Sequence, residues 1–224
     1  MWDSVDNFRW VQATLTLMQV FVESGGERMV MAGTCAEYDW RYGYCSESVT
    51  PLFPQSVYGT CKNALCTMVD ALTKKTGVHA AWGRIFYLYG PHEHPERLVP
   101  FVIRSVMQRV RVPCSHGNQI RDYLHVEDVA DAFVSLLKSN VTGVINIGSG
   151  CPTSLKSIIY RIAKDLDGEN LIELGAKPTP VGDPPFLVAD VARLTHELGW
   201  HPKYDLARGL EQTVNWWRHQ LNKS

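Results

Sequence analysis

Arg28-Met29-Val30-Met31-Ala32 runs directly into Gly33-Thr34-Cys35. A short unbroken apolar run closed by glycine suits a strand buried on both faces of a parallel sheet. Ahead of it, Val5 to Glu23 carries apolar residues at helical spacing (Val11, Leu15, Met18, Phe21, Val22) and stops at Ser24-Gly25-Gly26, as a helix end should. Behind it, 37–55 is rich in Tyr, Ser, Gly and Pro and reads as a loop. A helix is then expected from about Val57 to Lys75, with Leu65, Val69 and Leu72 on its apolar face and Gly77 closing it. The alternation continues. Strands are expected at 78–86, 110–114, 121–126 and 143–147, and helices at 98–109, 127–138, 155–167, 190–198 and 207–221. A Pro-rich loop covers 175–185. Short strands alternating with amphipathic helices define an α/β fold with a parallel sheet.

In open α/β sheets ligands sit at the carboxyl ends of the strands, and Thr34 stands at such an end. Tyr58-Gly59-Thr60-Cys61-Lys62 opens the next helix and places a phenol and an ammonium at i and i+4, on one face. A free Tyr titrates near ~10 and is a poor base at neutral pH. A neighbouring cation favours the phenolate, so a Tyr tuned by Lys62 could exchange a proton with a sugar or alcohol hydroxyl while a hydride moves elsewhere. Tyr-x-x-x-Lys also arises by chance on surface helices; its neighbours decide its meaning.

The 224 residues suffice for a sizeable core, and the formal net charge of −1, with no long basic run, points away from nucleic acid and anionic membranes. The apolar windows fall short of a spanning helix. Six cysteines without C-x-x-C or paired zinc spacing read as reduced thiols of a cytoplasmic protein. His92-Glu93-His94 lacks a third and fourth ligand at metal-site spacing, so no metal is expected.

Downstream, Arg84-Ile85-Phe86-Tyr87-Leu88-Tyr89-Gly90-Pro91 is followed by Gln119-Ile120-Arg121-Asp122-Tyr123-Leu124-His125-Val126-Glu127-Asp128-Val129-Ala130. With Thr34, Tyr58 and Lys62, this series resembles the extended short-chain dehydrogenase/reductases, the NAD-dependent nucleotide-sugar epimerases and dehydratases. The resemblance runs from about Asn7 to Trp217. It implies a catalytic set of Thr34, Tyr58 and Lys62, with NAD or NADP held by Tyr58, Lys62 and Phe86. It implies contacts to a nucleotide-diphosphate sugar from Tyr87, His92 and Arg121. A guanidinium at 121 suits bidentate bonds to phosphate oxygens; an ion pair with Asp122, Glu127 or Asp128 is the structural alternative. The resemblance further implies a homodimer through the helices at 7–23 and 57–75.

The departures are as informative. The family opens with a strand, a Gly-x-x-Gly-x-x-Gly turn and a helix, whose backbone amides cradle the cofactor pyrophosphate. No such turn occurs here. The expected fold is therefore an N-terminally truncated member: a Rossmann-like parallel sheet lacking its Gly-rich half, by about a hundred residues or three βα units of ~30 each, with a small C-terminal substrate lobe. Residues 1–86 and 125–148 would form the remaining dinucleotide-binding part, and 87–124 and 149–224 mainly the substrate lobe. Dehydratases of the family follow the hydroxyl residue with Asp-Glu. Here Cys35-Ala36 follows Thr34, which argues against water elimination; Cys35 reads as a buried thiol. Tyr87 replaces an Asn, and the Arg expected just before Gly182-Asp183 is absent. The expected function is an NAD(P)-dependent nucleotide-sugar epimerase or 4-ketoreductase. The alternative is a catalytically silent fragment that keeps only nucleotide-sugar binding or dimerisation.

Overall fold

The computed structural model describes residues 2–221. In chain order the elements are α1 (Asp6–Glu23), β1 (Arg28–Thr34), two 3-10 turns (Cys35–Glu37 and Trp40–Tyr42), β2 (Tyr44–Cys45), α2 (Val57–Thr76), β3 (His79–Ile85), β4 (Tyr87–Tyr89), α3 (Leu98–Met107), β5 (Val112–Pro113), β6 (Ile120–His125), α4 (Val126–Lys138), β7 (Gly143–Ile147), β8 (Pro152–Ser154), α5 (Leu155–Asp165), β9 (Ile172–Glu173), β10 (Phe186–Ala189), a π-helical turn (Arg193–Glu197) and α6 (Leu206–Leu221). They divide into two compact units. One comprises the chain up to Phe86, 130–148 and 189–201; the other comprises 87–129, 149–188 and the chain from Pro202 onward.

The first unit is built on three parallel strands in the order β1-β3-β7. The register runs from Arg28 opposite His79 to Thr34 opposite Ile85, and from Ala81 opposite Gly143 to Ile85 opposite Ile147. Helices α1 and α2 cover the sheet through Met18, Leu65, Val69, Ala80 and Trp82. Met18, Leu65 and Val69 each contribute about 1.5–3 kcal/mol on full burial. The side chain of Ser56 caps α2 by accepting from the Gly59 amide at 3.1 Å, and Lys74 and Lys75 in its last turn complement the helix dipole. The guanidinium of Arg28, at the start of β1, donates to the carbonyls of Leu136, Leu137 and Val141, which satisfies backbone acceptors at and just beyond the end of α4.

In the second unit β10, β6 and β4 run parallel, with Leu187 opposite Arg121 and Tyr87 opposite Tyr123. Strand β8 pairs antiparallel with β6, Asp122 facing Pro152. The carboxylate of Asp122 accepts from the amides of Ser149 (2.6 Å) and Gly150 (2.9 Å), which fixes the turn that reverses the chain into β8. Helices α3, α5 and α6 share an apolar core that includes Val102, Ile103, Val106, Ile158, Ile162 and Leu210.

The expected fold class is corrected. Residues 6–23 are not missing from this fold. They form a helix docked on α2 through the Met18 cluster. Nor do all strands form one parallel sheet: the Asp122-held turn makes the pairing around β6 mixed. The chain is an α/β protein with a parallel three-stranded layer and a separate mixed layer.

Candidate active site

Thr34 ends β1, and its neighbours explain why the chain turns there. Its hydroxyl oxygen accepts from the Ala36 amide at 3.2 Å, while its own amide donates to the Glu37 carboxylate at 2.9 Å. This reciprocal cap starts the Cys35–Glu37 turn. Helix α2 begins against that turn. A Cβ on Gly59 would lie 2.5 Å from the Ala36 carbonyl oxygen, so only glycine permits this approach. Tyr58 and Lys62, one helical turn apart, are thereby brought to the carboxyl end of β1. Nζ of Lys62 donates to the Ala32 carbonyl at 2.9 Å and lies 6.0 Å from the centre of the Tyr58 ring. The Tyr58 amide donates to the carbonyl of Trp2 at 2.8 Å, and the Trp2 indole meets the Tyr58 ring edge-on at 5.4 Å.

The electrostatics differ from the expectation of a Lys-lowered phenol. Burial pushes the Tyr58 pKa up, a hydrogen-bonding interaction with the Thr34 hydroxyl works against it, and the Cys35 and Glu37 charges add to the rise. Burial lowers the Lys62 pKa, with Glu37 opposing the fall. In this state Tyr58 is a neutral phenol at physiological pH. Cys35 is buried. Phe86 is also buried, with its ring 6.4 Å from that of Tyr38.

The remaining expected residues belong to the second unit. Arg121 is only 2% exposed. Its guanidinium donates to Asp183 at 2.6 Å and to its own strand's Ile120 carbonyl at 2.8 Å, and it lies 5.5 Å from the centre of the Tyr87 ring. The three acids considered as its partners are otherwise engaged. Asp122 holds the Ser149–Gly150 turn, Asp128 accepts from the amides of Lys203 and Tyr204, and Glu127 accepts from the Tyr204 hydroxyl and Gln212. His92 adopts a left-handed backbone (φ 66°) and packs on Trp216 at 4.7 Å.

Four residues near these positions escaped the sequence reading: Trp2, Glu37, Arg84 and Asp183. A signal for Arg84 was present. A charge between Gly83 and Ile85 in an otherwise apolar strand demands a buried partner, and Glu37 is that partner at 2.7 Å. A dinucleotide fits this chain at one end. A hydroxyl, a phenol and an ammonium meet at the carboxyl end of β1, a donor set that suits a nicotinamide riboside, whereas the Ser149 and Gly150 amides are occupied by Asp122.

Parallel strands alternating with helices, with Thr34, Tyr58 and Lys62 near one strand's carboxyl end, define a Rossmann-like α/β class. The chain belongs to the NAD dependent epimerase/dehydratase family, whose profile matches residues 7–148. It is 27% identical over 221 residues to the dTDP-D-glucose 4,6-dehydratase of Mus musculus, covering 95% of this chain and 61% of that protein. Among solved structures, UDP-N-acetylglucosamine 4-epimerase from Methanobrevibacter ruminantium superposes with a TM-score of 0.87 at 20% identity, over 93% of this chain and 68% of that one. The dTDP-glucose 4,6-dehydratase DesIV of Streptomyces venezuelae, solved with NAD bound, gives a TM-score of 0.84 at 25% identity, over 98% and 69%. The expectation of an N-terminally truncated chain is corrected by these alignments, which use nearly all of it, α1 included. The chain spans about three fifths of the length of the curated relatives it matches.

Proposed function

We propose that this protein acts on a nucleotide-diphosphate sugar as an NAD(P)-dependent epimerase or 4-ketoreductase, with Thr34, Tyr58 and Lys62 as its catalytic set. The observation that carries the reading is the meeting of these three side chains at the carboxyl end of β1. NAD or NADP would supply the hydride acceptor or donor, with Tyr58, Lys62 and Phe86 as the residues that contact it. Thr34, whose oxygen accepts from Ala36 and whose hydroxyl is bonded with Tyr58 in this state, would turn its proton to the substrate oxygen. Tyr58 delivers a proton to that oxygen as a carbonyl is reduced, or removes one as an alcohol is oxidised. Lys62 stabilises the phenolate that remains. On the substrate side Arg121 would contact the diphosphate, with Tyr87 and His92 lining the sugar nucleotide.

Elimination of water needs an acid–base pair beside the sugar. Glu37, the first carboxylate after Thr34, is fully enclosed, which favours the epimerase or reductase chemistry. Phe8, Trp10, Leu17 and Val20 on α1 and Met68 on α2 are exposed, and pairing these helices with a second copy would bury them as a homodimer. All six cysteines are free thiols, which suits the cytoplasm. Among the described residues no helix is long and apolar enough to cross a membrane.

Calorimetric titration of the whole chain with NAD+, NADH, UDP-glucose and dTDP-glucose, followed by product analysis, tests the proposal. Saturable binding of a cofactor and a nucleotide sugar is expected. Net consumption of NADH identifies a reductase, and sugar interconversion without it an epimerase. No binding of either ligand class overturns the reading.

A further inference from the structure

Glu37 is wholly buried, and every direction around its carboxylate is filled. Oε1 accepts from the Thr34 amide (2.9 Å) and from Nε1 of Trp82 (3.0 Å), and Oε2 accepts from Nε of Arg84 (2.7 Å). Arg84 is itself 2% exposed and lies 4.5 Å from the centre of the Tyr38 ring. The Tyr38 hydroxyl donates to Asn146 at 2.8 Å. Gly33 makes room for the arrangement, since a Cβ there would fall 2.1 Å from Nε1 of Trp82 and 2.7 Å from Oε1 of Glu37. An enclosed charge of this kind is costly to desolvate, and replacing such pairs with apolar residues is often neutral or stabilising. Stability alone is therefore a weak account of its presence. Its location is more telling: one carboxylate oxygen holds the amide of Thr34, and its charge acts on Tyr58, Lys62 and Cys66.

We propose that Glu37 is a positioning residue for the Thr34–Tyr58–Lys62 set, locking the Thr34 backbone through the reciprocal turn cap and placing a fixed negative charge, anchored by Arg84 and Trp82, at the end of β1, where Lys62 bonds the Ala32 carbonyl two residues before Thr34. The cap occupies one acceptor site of the Thr34 hydroxyl with Ala36 and holds that hydroxyl against the Tyr58 phenol. The charge opposes the effect of burial, which works against the Lys62 ammonium. Among the groups that act on Lys62, Glu37 supplies the countering charge. Glu37 itself neither donates nor accepts a proton in the reaction, being closed off from any substrate.

The inference rests on the catalytic reading of Thr34, Tyr58 and Lys62, so its test avoids turnover. The whole chain carrying Glu37→Gln keeps an oxygen for the Thr34 amide but loses the charge. Trace acetylation with acetic anhydride across pH, read by mass spectrometry on the peptide containing Lys62, gives the titration midpoint of the ammonium. The 13C-methyl signal of Thr34 reports its side-chain rotamer. The expected result is a Lys62 midpoint moved to lower pH, with labelling below it raised severalfold, and an unchanged Thr34 signal. A midpoint equal to that of the parent chain overturns the proposal, because a purely structural ion pair would cost stability without moving Lys62. If Glu37→Gln does not fold, Arg84→Gln, which keeps the carboxylate and removes the cation that offsets its field, is read in its place: a Lys62 midpoint moved to higher pH is expected, and one equal to that of the parent chain overturns the proposal. Absence of nucleotide-sugar turnover in the parent chain would count against the proposed activity and leave these two readouts intact.

Discussion

Lys62 holds its ammonium 6.0 Å from the centre of the Tyr58 ring and bonds the Ala32 carbonyl, not the phenol. The lysine is thus tied to the end of β1, from which it can act on a phenolate once one forms. This division of labour separates the effects of substitutions at the two positions. Tyr58→Phe removes the proton carrier and is expected to lower turnover by about 10²–10⁴-fold with little change in thermal midpoint. Lys62→Met is expected to lower turnover too, and to shift the alkaline or acidic limb of the pH–rate profile, which Tyr58→Phe abolishes. Steady-state rates with UDP-glucose or dTDP-glucose across pH check both.

Gly33→Ala tests the close packing beneath the site. The new methyl would meet Trp82 and Glu37 well inside van der Waals contact. An overpacking cost of about 1–3 kcal/mol is expected, measurable by urea unfolding of the purified chain. Gly25→Ala, whose Cβ meets nothing but carries the strain of a φ of +78°, is a suitable control for backbone effects alone.

Arg121 forms its ion pair with Asp183 at 2.6 Å. If the guanidinium serves a diphosphate, Arg121→Lys loses its bidentate geometry and weakens UDP-glucose binding by about tenfold or more, the size of a lost charge-assisted bond. Asp183→Asn leaves the cation in place with less competition and is expected to tighten binding. Calorimetry decides; equal affinities for all three proteins would remove Arg121 from the site.

Glu93 gives a pH signature. Its side chain is 11% exposed, Oε2 has no hydrogen-bond partner, and Nε of Arg97 is 3.9 Å from Oε1. Burial raises its pKa from 4.5 to about 7, with Arg97 opposing. The folded state therefore holds this proton more tightly than the unfolded one. Its contribution to stability is fully present below about pH 4.5 and is lost as the pH rises through 7. Glu93→Gln is expected to be more stable than the parent by about 2–3 kcal/mol at pH 8 and to lose that advantage near pH 4. Denaturant titrations at the two pH values check the sign.

Trp10→Glu tests the association proposed for α1. Trp10 is 71% exposed, so the substitution costs the monomer little. If α1 pairs across a dimer, sedimentation of the variant is expected to show a monomer where the parent sediments as a dimer.

The strand Arg28–Thr34 and the helix from Val57, with Thr34, Tyr58 and Lys62 at their expected positions on them, are legible because apolar spacing and the i, i+4 rule are local. Strand β10 (Phe186–Ala189) was not. It follows a Pro-rich loop, is four residues long, and is defined by pairing with β6. The helix expected at 190–198 is a five-residue π-helical turn, whose Arg193 donates to the carbonyls of Thr142 and Val144. Such bonds between distant segments leave no periodicity to read. The same reason hid the site's electrostatics. Lys62 was judged against Tyr58, four residues away, whereas Glu37 and burial, both set by tertiary packing, determine the direction in which the two groups shift.

The parallel register places Gly33 opposite Arg84. A residue without a side chain on one strand thus faces one with a long charged side chain on its neighbour, and Glu37 closes the circuit with Trp82. None of these four can be exchanged alone without leaving either a clash or an orphaned charge. Positions 33, 37, 82 and 84 should therefore drift as a linked block, and any homologous chain bearing a larger residue at 33 is expected to have surrendered the carboxylate at 37, the indole at 82 and the guanidinium at 84 together.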